Sequence, residues 1–249
     1  MASRKTVVAF DLYGTLLSTE SIAEELANHY GEDNAKPLAT LWRRYQLEYT
    51  WRINSMGKRI QTIQRADARR PSPRGCGARP RAPVPETAHA LMRSYDALRA
   101  FPEVGSALDH LLLDSGGGKK VEAYVFSNGT AEMVANSVRS SPDLGPRADR
   151  LFRALVTVDD DEGPRCYKPD RRVYSHLMRH AGVEEGREGD VWVVSANPFD
   201  IVGARAAGLN AAFIDRAGKG WIDHLDEARV PSVVARGVDE AVRSILKKT

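Results

Sequence analysis

The sequence predicts an α/β protein with a doubly wound parallel sheet of Rossmann-like topology and a helical segment inserted after the first strand. From about residue 120 onwards, short β-branched runs alternate with segments of helical periodicity, which is the pattern of strand–helix–strand units. Before that point, one apolar run at 6–10 is followed by a long stretch without a second strand. We therefore expect an α/β core at residues 1–17 and 100–249 and an inserted helical domain, the cap, at 18–99.

The first element is a short, buried strand at residues 6–10, which delivers Asp11 to its carboxyl end. Apolar and aromatic residues at helical spacing then predict helix from about 18 to 56. Helical periodicity resumes between 88 and 112. The later elements are strands at 121–126, 154–158, 191–194 and 211–214, and helices at 131–138, 171–181, 199–207 and 238–246.

Residues 57–85 break this pattern, because they are rich in proline, glycine and arginine and lack aliphatic periodicity. The whole chain carries +3, but residues 58–81 hold eight basic side chains against one acidic one, which leaves −4 for the rest. The basic balance therefore belongs to this segment alone. A lineage-specific loop and a reading-frame error in a GC-rich gene both explain it, and its abrupt onset and end favour the error.

The chain has no run of about 18 apolar residues, and its first apolar run is too short for a signal peptide. We therefore expect a cytoplasmic protein. Cys76 and Cys166 form neither a disulfide framework nor a CxxC site, which suits a reducing compartment.

Polar side chains follow three of the predicted strands, and a lysine precedes a predicted helix. These residues are Asp11, Thr15, Ser127, Asn128, Lys168, Ser195, Asn197 and Asp200. Since ligands bind at the carboxyl ends of parallel strands, we expect them to converge on one site. A lysine beside Asp11 would stabilise the negative charge that a carboxylate nucleophile requires. Strand-end hydroxyl and amide groups suit the binding of an anion.

Four segments resemble the motifs of the haloacid dehalogenase superfamily, in the same order. They are AFDLYGTL at 9–16, SNG at 127–129, YKPD at 167–170 and SANPFD at 195–200. Two further segments, LWR at 41–43 and QLEYTW at 46–51, are similar to the L-2-haloacid dehalogenase branch. The resemblance covers most of the chain except residues 57–85, and it implies a Rossmann-like core with an inserted cap.

Most members of this superfamily are phosphatases, and the motifs distinguish a phosphatase from a dehalogenase. A phosphatase of this kind has a second aspartate two positions after the nucleophile to protonate the leaving alcohol, whereas this chain has Tyr13. Asp200 is the only acid of the fourth motif, which is too little charge for a dedicated Mg²⁺ site. A leaving halide needs neither proton nor metal, so both departures favour carbon–halogen cleavage. A Mg²⁺-dependent phosphatase, or a catalytically idle fold whose basic segment binds nucleic acid, is the alternative.

The resemblance implies hydrolysis of L-2-haloacids to D-2-hydroxyacids through an ester on Asp11, without metal or cofactor. Arg43 of the cap would receive the halide, although Arg44 competes for that role. Asp200 would act as the base toward water or orient that water, assisted by Lys168, Ser195 and Asn197. The residues implied to act in catalysis are Asp11, Thr15, Arg43, Ser127, Lys168, Tyr174, Ser195, Asn197 and Asp200. The residues implied to bind substrate are Leu12, Tyr13, Arg43, Leu47, Ser127, Asn128 and Phe199.

The implied partner is a small 2-haloacid, with neither nucleic acid nor membrane, and the aromatic-rich cap is compatible with a homodimer. The match fails after Trp51, where further cap helix is expected and Thr62 falls near the position of an aromatic pocket residue. The sequence therefore leaves the completeness of the cap open.

Overall fold

The computed structural model describes residues 5–57, 97–114, 120–159 and 163–249. The predicted irregular segment, apart from its first residue, lies outside these ranges, as do residues 88–96 of the helical periodicity expected at 88–112. Within the four ranges, no helix is long and apolar enough to cross a membrane.

Six parallel strands form one sheet. They are β1 (Lys5–Phe10), β2 (Lys120–Phe126), β3 (Phe152–Val156), β4 (Val191–Ser195), β5 (Asn210–Ile214) and β6 (Val233–Ala235). Their spatial order is β3-β2-β1-β4-β5-β6, so β1 lies in the middle, with Phe10 opposite Val125 on one side and Val194 on the other. Because all pairs are parallel, the carboxyl ends of the strands share one edge.

Helices cover both faces of this sheet. The α-helices of the described residues are α1 (Ile22–Tyr30), α2 (Glu32–Ser55), α3 (Val104–Asp114), α4 (Ala131–Ser140), α5 (Gly145–Leu151), α6 (Arg171–His180), α7 (Pro198–Ala206) and α8 (Val238–Leu246). Of these, α1 and α2 pack mainly against each other. Alternate residues of β1 point to opposite layers: Val8 and Phe10 pack with α3, α4, α5 and α8, whereas Val7 and Ala9 pack with α6 and α7. This arrangement confirms the predicted α/β fold with a doubly wound parallel sheet.

The helical pattern expected at 18–56 corresponds to two helices, which Gly31 separates because its φ of +80° does not fit within a helix. The strand expected at 154–158 begins and ends two residues earlier, as β3. The sequence pattern missed α5, a seven-residue helix that runs directly into β3, and it missed β6, a strand of three residues. Both are too short to show a hydrophobic period.

Two backbone contacts join the ends of the segment that is predicted to form the cap. The N–H of Ser18 donates to the carbonyl of Arg99 at 2.8 Å, and Leu17 forms an antiparallel bridge with Ala100. The residues on either side of the predicted cap segment are therefore neighbours. The division into core and cap itself stays a prediction.

Candidate active site

Asp11 lies one residue beyond β1, in the middle of the carboxyl edge of the sheet. Its N–H donates to the carbonyl of Val194 at 3.0 Å and so extends the ladder between β1 and β4 past the end of β1. Its exposure is only 7%. Because β1 lies between β2 and β4, and polar residues follow both of those strands, this carboxylate lies where side chains from several strands meet.

One carboxylate oxygen of Asp11 is held by three side chains. Oδ2 accepts hydrogen bonds from Thr15 Oγ1 at 2.8 Å and from Asn197 Nδ2 at 2.7 Å. Ser195 Oγ donates to the same oxygen at 3.3 Å. Among the described residues, Oδ1 accepts a hydrogen bond from one group, the ammonium of Lys168 at 3.3 Å. The two oxygens are therefore unequal, with Oδ2 fixed and Oδ1 open to a further partner.

The two hydroxyl groups on Oδ2 have their donor direction fixed by the backbone. Thr15 Oγ1 accepts the N–H of Ala196 at 3.0 Å, and Ser195 Oγ accepts the N–H of Asn197 at 3.1 Å. Because each hydroxyl has one proton and here accepts from an amide, that proton is directed toward Asp11. The loop after β4 thus organises the donors around the carboxylate.

Lys168 joins Asp11 to a second carboxylate. Its Nζ donates to the carbonyl of Phe126 at 2.8 Å, to Asp200 Oδ2 at 2.7 Å and to Asp11 Oδ1. The ammonium also lies 3.9 Å from the ring centroid of Phe126, and the residue is 1% exposed. An ammonium has three N–H donors, and these acceptors use all of them. The buried positive charge is therefore fully paired.

Asp200 has both of its oxygens engaged although it is fully buried. Tyr174 donates its hydroxyl proton to Oδ1 at 2.9 Å, while Lys168 holds Oδ2. Burial raises the pKa of the Asp200 carboxyl, and the ammonium of Lys168 opposes that rise. Burial and the neighbouring Asp200 charge also raise the pKa of Tyr174 well above its ordinary value, so its phenol remains a donor.

The hydroxyl of Tyr174 reaches Asp200 because Gly203 on α7 has no side chain. A Cβ at Gly203 would lie 2.7 Å from Cε2 and Cζ of Tyr174 and closer still to its Oη. Real Cβ atoms essentially never come within 3.0 Å of such atoms, so the ring or the helix would have to move.

Gly203→Ala is therefore expected to destabilise the fold by about 1–3 kcal/mol, as overpacking of a core does. Urea unfolding measures this change. Gly105→Ala on α3 is the matched control, because the nearest atom to its Cβ would be 3.9 Å away, and it is expected to be neutral or slightly stabilising. Equal stability of both variants and the parent chain would contradict the account of Gly203.

Arg43 is the arginine of α2 that approaches the site. Its Nη2 donates to the carbonyl of Tyr13 at 3.2 Å, whereas Arg44 is exposed. Tyr13 itself is buried, and its hydroxyl shares a hydrogen bond of 2.9 Å with Ser137 on α4. The phenol at the position of a phosphatase's second aspartate is thus engaged with a helix of the core.

Ser127 and Asn128 follow β2 and lie beside the lysine segment. Asn128 Oδ1 accepts the N–H of Lys168 at 2.8 Å, and Ser127 Oγ accepts the N–H of Gly129 at 3.1 Å. Ser127 is buried and Asn128 is half-buried. The Ser127 hydroxyl proton and the Nδ2 group of Asn128 are the donors that these two residues can offer to an anion.

The three apolar residues expected at the substrate differ in position. The side chain of Leu12 is fully buried in the core, so a contact with substrate is open only to its backbone N–H. Phe199, at the start of α7, packs edge-to-face against Trp51 of α2 with ring centroids 5.6 Å apart. Leu47 is half-buried, one helical turn after Arg43 on α2.

Sequence reasoning missed two residues next to the site, Asn54 and Arg216. Asn54 of α2 exchanges two hydrogen bonds with the backbone of Tyr167, at 3.2 and 3.3 Å, and so ties α2 to the segment that carries Lys168. Arg216, two residues after β5, donates to the carbonyls of Gly14 and Thr15. Its position just past the carboxyl end of a strand was the signal that could have found it.

Comparison with known proteins identifies the family. The model of the haloacid dehalogenase-like hydrolase family matches residues 5–208. The chain belongs to the haloacid dehalogenase-like hydrolase family. This confirms the resemblance seen in the four motifs.

Members of this family with similar sequences act on halogenated acids, as their names state. Haloacetate dehalogenase H-2 from Moraxella sp. (strain B) is 31% identical over 85% of this chain and 86% of its own. (S)-2-haloacid dehalogenase 4A from Burkholderia cepacia is 31% identical over 84% of this chain and 82% of its own. The solved structure of L-2-haloacid dehalogenase from Xanthobacter autotrophicus matches 98% of this chain and 99% of its own chain with a TM-score of 0.73. At 22% identity, that likeness shows the haloacid dehalogenase fold.

In this haloacid dehalogenase-like hydrolase, the described residues include no group of three or more His, Cys, Asp or Glu side chains that could hold a metal ion. The two carboxylates of the site, Asp11 and Asp200, instead share the ammonium of Lys168. The side chains of Ser195 and Asn197 donate to Asp11, and an oxygen ligand set for Mg²⁺ would need acceptors at those places.

Proposed function

We propose that this chain hydrolyses L-2-haloacids to D-2-hydroxyacids and halide, with Asp11 as the nucleophile and without a metal ion. The observation that carries the proposal is the inequality of the two Asp11 oxygens: in the part of the chain that the structure describes, Oδ2 has three donors and Oδ1 has Lys168 alone. The names of the relatives support the substrate class.

In the first step, Oδ1 of Asp11 attacks C2 of the substrate from the face opposite the halogen. A C–O bond forms, the C–halogen bond breaks with its electron pair on the halide, and the configuration at C2 inverts. Arg43 is the proposed cation that receives the halide, because it is the half-buried arginine of α2 at the site. Ser127 and Asn128, with the backbone N–H groups that follow Asp11, are proposed to hold the substrate carboxylate.

In the second step, water attacks Cγ of the Asp11 ester. Oδ2 is then the carbonyl oxygen on which negative charge develops, and it is already surrounded by the donors of Thr15, Ser195 and Asn197. Donors fixed in advance stabilise such a charge without reorganising during the reaction. The Cγ–Oδ1 bond breaks, and Oδ1 leaves as the hydroxyl oxygen of the product.

Asp200 is the proposed base toward this water, held in place by Lys168 and Tyr174. Burial raises the pKa of its carboxyl, which makes the carboxylate a stronger base toward water. The proton taken from water passes to the departing oxygen of the product. Leu12 through its N–H, together with Tyr13, Leu47 and Phe199, is proposed to line the substrate pocket, because development of charge on halide is favoured where water is excluded.

The proposed activity differs from phosphate-ester hydrolysis in its need for an acid. The leaving alcohol of a phosphate ester must be protonated, and the buried phenol of Tyr13 is bound to Ser137. Halide leaves without a proton, so that arrangement is no obstacle to dehalogenation. The absence of a nucleic-acid partner, the cytoplasmic location, the homodimer and the inserted cap at 18–99 stay predictions.

The test is chloride release from L-2-chloropropanoate in the presence of a chelator. We expect release from the L enantiomer at a rate that the chelator does not change, with D-lactate as the product and no release from the D enantiomer, which is the control. Absence of chloride from both enantiomers would overturn the proposal. Phosphate release from an aryl phosphate only after addition of Mg²⁺ would assign the site to a phosphatase.

A further inference from the structure

Arg216 binds the loop that follows the proposed nucleophile. Its Nη2 donates to the carbonyl of Thr15 at 2.8 Å, and its Nη1 donates to the carbonyl of Gly14 at 3.3 Å. These two carbonyls lie in the tight turn after Asp11, in which Gly14 adopts φ +85°. Thr15 donates to Asp11 Oδ2 at 2.8 Å, and the guanidinium of Arg216 holds the backbone carbonyl of this same residue.

The guanidinium is in turn fixed by two partners from the core. Glu103, just before α3, accepts from Nη2 at 2.7 Å and from Nε at 3.0 Å through the same oxygen. The ring centroid of Phe101 lies 3.5 Å from Cζ of Arg216. The aromatic ring lies against one face of the guanidinium, and all three of its nitrogens donate hydrogen bonds, so that its position and its plane are both fixed. A lysine ammonium cannot reproduce this set of contacts.

We infer that Arg216 is a positioning residue for the reaction: paired with Glu103, it fixes the turn after Asp11 so that Thr15 is aimed at Asp11 Oδ2. It acts through Thr15 and does not itself touch the substrate. This inference rests on the proposed function. It extends the site to the segment after β5, the fourth strand whose carboxyl end contributes to it.

Arg216→Lys tests this inference by its effect on the two kinetic constants. Since a displacement of about 1 Å can lower a rate by up to about 100-fold, we expect kcat for chloride release from L-2-chloropropanoate to fall about tenfold. KM should stay nearly unchanged because substrate contacts remain. Arg147→Lys is the matched control: Arg147 also binds a carboxylate, Asp109, and a carbonyl, that of Asp143, but it is not bonded to the turn. Both constants should stay at the parent values in that variant.

A double-variant cycle with Thr15→Val separates positioning from general damage to the fold. If Arg216 acts through Thr15, adding Arg216→Lys to Thr15→Val should cause little further loss of kcat, because the hydroxyl to be aimed is already absent. Thermal unfolding of each variant defines a temperature at which all of them are folded, and the assays are run at that temperature. If Arg216→Lys does not fold, Glu103→Gln replaces it, and we expect a smaller decrease in kcat from that variant.

The outcomes are distinguishable. A parent chain that releases no chloride from L-2-chloropropanoate overturns the proposed function and this inference with it. An active parent whose Arg216→Lys variant behaves like Arg147→Lys, raises KM at unchanged kcat, or combines additively with Thr15→Val overturns the role of Arg216 alone.

Discussion

Asp11→Asn is expected to lower chloride release from L-2-chloropropanoate by a factor on the order of 10⁴ or more, because it removes the atom that forms the bond to C2. The substituted amide keeps nearly the same shape, so the fold should survive. Chloride release under saturating substrate measures the loss. Mass spectrometry of the purified variant shows whether the amide has reverted to aspartate.

Asp149→Asn is the matched control, since Asp149 is an exposed aspartate on α5. It should retain the parent rate. A rate in Asp11→Asn close to that of Asp149→Asn would contradict the proposed nucleophile.

The same experiment is sharpened by isotope labelling of the parent enzyme. In a single turnover in heavy-oxygen water with enzyme in excess, the first product should carry an unlabelled hydroxyl oxygen, because that oxygen is Oδ1 of Asp11. The label should appear in the Asp11 carboxylate. A labelled hydroxyl in the first product would mean that water attacks C2 directly and that Asp11 acts as a base.

Lys168→Met is expected to have the second largest effect, on both activity and stability. It removes the charge that joins Asp11 to Asp200, so chloride release should fall by a factor on the order of 10²–10³. Breaking a buried ion pair on one side is also expected to lower the free energy of unfolding by about 3–5 kcal/mol. Chloride release and urea unfolding measure the two effects.

The loss of stability should depend on pH. Burial already raises the pKa of Asp200, and removal of the opposing ammonium should raise it further. Above the ordinary carboxyl pKa, the folded chain then binds more protons than the unfolded chain, so stability falls as pH rises, by up to about 1.4 kcal/mol per pH unit until the raised pKa is passed. Lys168→Met should therefore be more stable at pH 5 than at pH 8, relative to the parent.

The double variant Lys168→Met with Asp200→Asn is the matched comparison. It leaves a neutral amide where the unpaired carboxylate would be, so this added pH dependence of stability should disappear while chloride release stays low. A Lys168→Met variant whose stability tracks that of the parent across this pH range would show that Asp200 does not hold the buried charge.

The position of the site could be predicted from the sequence because its residues share a local signature. Asp11, Ser127 and Ser195 each come directly after a β-branched strand pattern, and parallel strands bring such positions to one edge. Tyr174 required the family resemblance, because a tyrosine on an amphipathic helix has no such signature. Its neighbour Gly203 is visible only once α6 and α7 are packed together.

Other features depend on contacts between distant residues and could not be predicted. The unequal roles of the Asp11 oxygens follow from hydroxyl groups whose protons are directed by backbone amides. For Thr15, that amide belongs to Ala196, more than a hundred residues away in the chain. The position of Arg216 just past a strand end is visible in the sequence, but the two carbonyls and the carboxylate that it binds are not. The short α5 and β6 are stabilised by their place in the fold and not by a period in the sequence.

The hydrogen bond between Ser18 and Arg99 holds together the two ends of the predicted cap segment. Whatever the chain does between these two residues, its ends stay side by side, just after the turn that carries Thr15. We therefore expect a change in the length or composition of this segment to leave the strand register and the hydrogen bonds around Asp11 in place. The unusual composition of residues 57–85 is compatible with the ordered site for this reason.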